Sequence, residues 1–161
     1  MQLCSLWIVL LPWEIKKDAF WCNFLASLRV AHVRKLLNLL DCIHKCDPQS
    51  SWKVALEFRH QSWYQQDIYR MLENYQMGVV LHDKRHEGGY MLNSDRDCVY
   101  VRFHGPGGDY RGSYEDRFLY EYTSSIRNWM TEGKQVYTYF NNTIGNAIEN
   151  LNTLRTYVAE D

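Results

Sequence analysis

The chain has 161 residues, of which 46% are hydrophobic, 15% aromatic and 23% charged. This is the composition of one folded domain, and it excludes a disordered chain, a collagen-like repeat and a coiled coil. With 18 Lys and Arg against 19 Asp and Glu, the net charge of −1 announces neither a broad basic surface nor an acidic tail.

The longest apolar stretch, Leu3 to Trp13, is about half of the roughly 20 residues that a membrane span needs. No Lys or Arg precedes it and no small-residue cleavage site follows, so it reads as a buried strand, Leu6–Leu11, ended by Pro12. Residues 18–40 carry Phe20, Phe24, Leu25, Leu28, Val33, Leu36, Leu37 and Leu40 at spacings of three and four and read as helix. Asp47–Ser51 is a loop and Val54–Arg59 a strand. Gln65–Tyr75 is a helix, with Ile68, Met71, Leu72 and Tyr75 on one face. Gly78–His82 and Cys98–Phe103 are strands, separated by a polar loop with Gly88 and Gly89. Gly105–Tyr114 is a glycine-rich loop. Glu115–Glu132 is a helix capped by Gly133, Gln135–Phe140 a strand and Asn146–Val158 a helix. Five strands alternating with helices predict an α/β fold with a parallel sheet and helices on its outer face. No Gly-x-Gly-x-x-Gly and no P-loop is present, which favours a barrel-type sheet, or part of one, over a doubly wound nucleotide fold.

The strands place polar groups in register. Glu57 and Arg59 oppose Val54, Leu56 and Phe58. Tyr100, Arg102 and His104 oppose Val99, Val101 and Phe103, and Tyr137, Tyr139 and Asn141 share one face. These groups gather toward the C-terminal strand ends, where α/β sheets bind ligands. A buried ion pair of Glu57 with Arg59 or Arg102, holding strands in register, explains the same pattern. The run from His104 to Tyr114 could bring glycine N–H groups, Arg102, Arg111 and His104 onto a phosphate or carboxylate, or simply be a sharp bend. His82, Asp83, His86 and Glu87 match no ligand spacing and read as a solvated loop. Cys42 and Cys46 lack the second pair of a structural zinc site. Trp52, Trp63 and Trp129 read as packing residues. Five scattered cysteines read as reduced thiols in a cytoplasmic protein.

Three segments resemble the YecE-like family, a domain of unknown function. Val54–Trp63 resembles its EFRHxSW signature. Val99–Gly105, with Tyr110 and Tyr114, resembles its YVRxHG segment and the two tyrosines after it. Val136–Asn142, with Gly145, Ala147, Asn150 and Leu154, resembles its VYxYFNN ending. The resemblance is strong over residues 52–158 and weak over 1–51, where Leu10 and Trp13 replace a glutamine and a proline of the family. It implies a TIM-barrel-like fold, of which the chain represents a C-terminal portion: a single, incomplete barrel domain of about five strands over 1–161. It implies no reaction.

The functional expectation is an enzyme site at the C-terminal mouth, acting on an anionic phosphate- or sugar-containing substrate. Glu57 and His104 are the candidate catalytic groups. Arg59, His60, Arg102, Gly105, Tyr110, Tyr114, Asn141 and Asn142 are the candidate binding groups, with no metal and no cofactor. The rivals are a non-catalytic module for a nucleic-acid backbone or another ligand, and a truncated inactive fragment. The expected partners are an anionic small molecule or nucleic-acid backbone and a second copy through exposed sheet edges, with no membrane.

Overall fold

A computed structural model describes residues 19–83 and 97–160. Five parallel strands form one curled sheet, a half-barrel. They are β1 (Ala19–Phe24), β2 (Lys53–Phe58), β3 (Gly78–His82), β4 (Cys98–Phe103) and β6 (Gln135–Phe140), adjacent in that order. Between β4 and β6 lies the two-residue strand β5 (Arg111–Gly112). It pairs in parallel with β7 (Ile144–Gly145).

Helices follow from stripes of apolar residues one turn apart. In α1 (Val33–Cys46) the buried pair is Leu36 and Leu40. In α2 (Gln66–Asn74) it is Ile68 and Leu72. α3 (Asp116–Thr131) buries Leu119 and Ile126, and α4 (Ala147–Ala159) buries Leu154. Gly133, at φ 79°, takes the left-handed conformation that ends α3. Two apolar clusters fill the space between sheet and helices. One joins Phe24, Leu56 and Phe58 to Leu36, Leu40, Leu72 and the fully buried Trp63. The other joins Val101 and Phe103 to Leu119, Ile126 and Leu154. The opposite, inner face carries a small cluster of Ala55, Val80 and Tyr100 beneath the polar groups. Among the described residues no helix is long and apolar enough to cross a membrane.

Four strands and the parallel, sequential order agree with the sequence reading. The first strand of the sheet does not. Ala19–Phe24 is β1, not the start of a helix, and the helix begins only at Val33. Phe20 and Phe24 are four apart, which fits a helix, but with Cys22 they also alternate. The aromatic-rich run suits a pleated surface, and pairing along all of β2 decided between the two. The strand expected at Leu6–Leu11, and His86, Glu87, Gly88 and Gly89, lie outside the described residues.

Candidate functional site

Alternation along β1, β2, β4 and β6 turns Trp21, Asn23, Glu57, Arg102 and Tyr139 to the inner face. There Asn23 is the register partner of Glu57, and Arg102 that of both His82 and Tyr139. Glu57 is the hub. It is 1% exposed. Its Oε2 accepts from Trp21 Nε1 at 2.9 Å and pairs with Arg102 Nη1. Its Oε1 lies 3.3 Å from Arg59 Nη2 and 3.4 Å from His104 Nε2. Neither Oε1 nor His104 Nε2 makes a well-aligned hydrogen bond within the described residues.

Each cation is braced in turn. Arg59 donates from Nη1 to the Tyr110 hydroxyl at 2.8 Å and from Nε to Asn23 Oδ1 at 3.2 Å. The Arg102 guanidinium lies 4.0 Å from the centre of the Trp21 ring, a cation–π contact. With its amide oxygen turned inward, Asn141 accepts from Arg102 Nε at 2.9 Å and from Nη2. His104 is fully buried between two carboxylates. Asp83 Oδ1 accepts from its backbone N–H at 2.9 Å and lies 3.3 Å from Nδ1, opposite the Glu57 contact. Asp83 Oδ2 accepts from the Tyr114 hydroxyl, which in turn accepts from Gly105 N–H.

These surroundings set the charges. Burial pushes the Glu57 carboxyl up, but the contact with His104 and the positive charges of Arg102 and Arg59 outweigh it and hold the group at about 2. Burial pushes the His104 imidazolium down, yet Asp83 and Glu57 together carry it above its ordinary value. His82 goes the other way: burial takes it to about 4, against the pull of Glu57. At neutral pH His82 is therefore neutral, while Glu57 and Asp83 are ionised. The two imidazole rings lie edge to face, 5.8 Å apart. Such opposed environments separate a proton donor from a proton acceptor.

Of the residues named from sequence, Glu57, Arg59, Arg102, His104, Tyr110 and Asn141 converge directly. Gly105 and Tyr114 hold the wall behind His104. Gly105 has φ 99°, and a Cβ there would stand 2.3 Å from the Arg111 carbonyl oxygen, so only glycine fits. His60 and Asn142 do other work. His60 Nδ1 accepts from Ser62 N–H at 3.1 Å, capping a short 3₁₀ turn. Asn142 donates from Nδ2 to Gly112 O and to Asn150 Oδ1, each at 2.9 Å, tying the loop of β5 to α4.

His82 and the Asp83 side chain are buried in the site, not part of a solvated loop, and the half-buried Tyr64 joins them, its hydroxyl 2.8 Å from His82 Nε2. The signal for them was their place at the C-terminal end of β3, between the two charged strands. Trp21 and Asn23 were missed because β1 was read as helix.

Residues 9–161 match the family described as "Protein of unknown function DUF72". No curated protein matches the sequence. Among solved structures the chain is similar to a DUF72 family protein from Thermotoga maritima MSB8, with 23% identity and a TM-score of 0.73 over 88% of this chain and 58% of that one. It is similar also to a DUF72 family protein from Enterococcus faecalis V583, with 20% identity and a TM-score of 0.71 over 89% of this chain and 61% of that one. The chain thus spans less than two thirds of these relatives' length, and the likeness is one of fold. Matched over nearly its whole length, and carrying the YecE-like motifs on the strands that build this site, the chain belongs to the DUF72 family.

Proposed function

We propose that the C-terminal mouth of this half-barrel binds an oxyanion, the phosphate of a phosphate- or sugar-phosphate-type substrate, and that His104 serves it as proton carrier. One observation carries the reading: Arg102 on β4, and Arg59 and His104 just after the ends of β2 and β4, all reach one buried carboxylate, Glu57. With Asp83, these are three cationic groups against two anionic ones when His104 is protonated, an excess of one positive charge at strand ends. Arg102 spends three of its five N–H donors on Glu57 and Asn141 among the described residues, which leaves donors for an oxyanion. Glu57, ionised across the physiological range, has no proton to give. Its part is to orient both guanidinium groups and His104.

A second reading, a binding module without catalysis, is favoured by one fact: His104 and Glu57 are 0% and 1% exposed.

Calorimetric titration of the full chain with sulfate, which does not titrate near neutral pH, tests the common core of both readings. Saturable binding is expected, weakened at least about tenfold in Arg59→Gln, since a charge-assisted contact contributes roughly 1.5–3 kcal/mol. Binding should also weaken as pH rises through the raised His104 value. Absence of saturable binding, or an unchanged Arg59→Gln, overturns the proposal. Binding that ignores pH removes His104 from it. An oligonucleotide that binds more tightly than sulfate, and loses that binding steeply with added salt, points to a nucleic-acid backbone as the natural ligand.

A further inference from the structure

The inner face holds a feature that anion binding does not use. Tyr139 lies flat on Tyr100, with ring centroids 4.8 Å apart and planes 15° from parallel, and Tyr137 stacks on the same ring at 6.3 Å. Tyr100 is buried, but Tyr139 is 42% exposed. One face of the Tyr139 ring is taken by Tyr100, so its exposure lies on the rest of the ring. The shelf adjoins the cations: Tyr139 is the register partner of Arg102, one strand away on the same face, at the roughly 4.8 Å spacing of neighbouring strands. On the other side of Arg102 lies Trp21, 36% exposed. Arg102 thus has an accessible ring, Trp21, against its guanidinium and an accessible aromatic residue, Tyr139, as its neighbour on the adjoining strand. A bare phosphate or a sugar phosphate uses the guanidinium alone. A ligand with a planar ring a few bonds from its phosphate uses both.

We propose that the substrate class of this site is a nucleoside monophosphate or a closely similar ring-bearing phosphate, with its phosphate on Arg102 and Arg59 and its ring on Tyr139. This rests on the oxyanion reading above and narrows it. A prestacked tyrosine costs little to order on binding, because Tyr100 already holds its ring. Stacking is also indifferent to ring identity, so the site selects for a ring rather than for one base.

The experiment compares adenosine 5′-monophosphate with ribose 5-phosphate on the full chain, with the ratio of the two affinities as the readout. The nucleotide is expected to bind at least about tenfold tighter, the gain typical of one stacked base. In Tyr139→Ala the ratio should fall toward one, and in Tyr139→Phe, which keeps the ring, it should persist. Both variants are first checked for a cooperative thermal transition. Should Tyr139→Ala fail that check, Tyr139→Leu takes its place. Equal affinities in the unaltered protein overturn the nucleotide inference and leave the oxyanion reading standing. A ratio that survives loss of the Tyr139 ring also overturns it. If neither phosphate binds, both readings fall together.

Discussion

Leu56 and Glu57 are neighbours in the chain, lie on opposite faces of β2 and are equally buried, at 0% and 1% exposure. They are held in by different physics. Leu56 packs among Phe24, Phe58, Trp63 and Leu72, where burial of apolar surface is non-directional and any well-shaped hydrocarbon serves. Glu57 sits among two guanidinium groups, an imidazole and an indole N–H, where the cost of burying a charge is offset only if each partner stays in place. The outer face should therefore answer to volume, and the inner face to charge.

The sharpest way to break that contrast is Glu57→Gln, nearly the same shape without the charge. It leaves Arg102 and His104 buried and unbalanced, and about 3–5 kcal/mol of stability should vanish in urea unfolding. A loss below about 1 kcal/mol would show that the charges are not what holds the inner face. On the other face Leu56→Ala should cost about 3 kcal/mol through lost transfer and a cavity, whereas Leu56→Met should stay under about 1.5 kcal/mol. Equal costs for these two variants would mean that volume is not the controlling quantity there.

The pH dependence sharpens the comparison next. Glu57 is held at about 2 against an ordinary 4.5, so its contribution is complete above about 4.5 and drains away as pH falls toward 2. The difference amounts to about 3 kcal/mol. His82, pushed from 6.5 to about 4, adds a loss that begins earlier, as pH falls below 6.5. His104 has the opposite sign. Its value is raised, so its contribution is complete below 6.5 and is lost as pH rises through the folded value. Unfolding free energy measured across pH should fall on both sides, and Glu57→Gln should flatten the acid limb between 4.5 and 2. An acid limb unchanged in that variant would assign it to other carboxyls.

The smallest effect concerns the wall of the site. A Cβ on Gly145 would stand 2.1 Å from Gly112 O, where β7 meets β5, so Gly145→Ala must shift the loop at a cost of roughly 1–3 kcal/mol. Because Asn142 and Asn150 brace the same loop, the variant should also loosen Tyr110 and Tyr114, read as weaker oxyanion binding. Stability lost without any change in binding would separate that wall from the site.

Local pattern alone determined much of this protein. Gly78–His82, Cys98–Phe103 and Gln135–Phe140 coincide with β3, β4 and β6, because an apolar run bounded by turn residues has few other solutions. Alternation likewise puts Glu57, Arg102 and Asn141 on one face from spacing alone. What only the tertiary structure decided was the outcome of competition between long-range partners. Phe20, Cys22 and Phe24 fit two periods, and only the neighbouring β2 chose the strand, bringing Trp21 and Asn23 to the site. His82 and Asp83 look like the start of a polar loop until His104, Tyr64 and Tyr114 close around them. Residue spacing records which face a side chain takes, whereas burial and protonation depend on groups tens of residues away, which the fold alone brings within hydrogen-bonding distance.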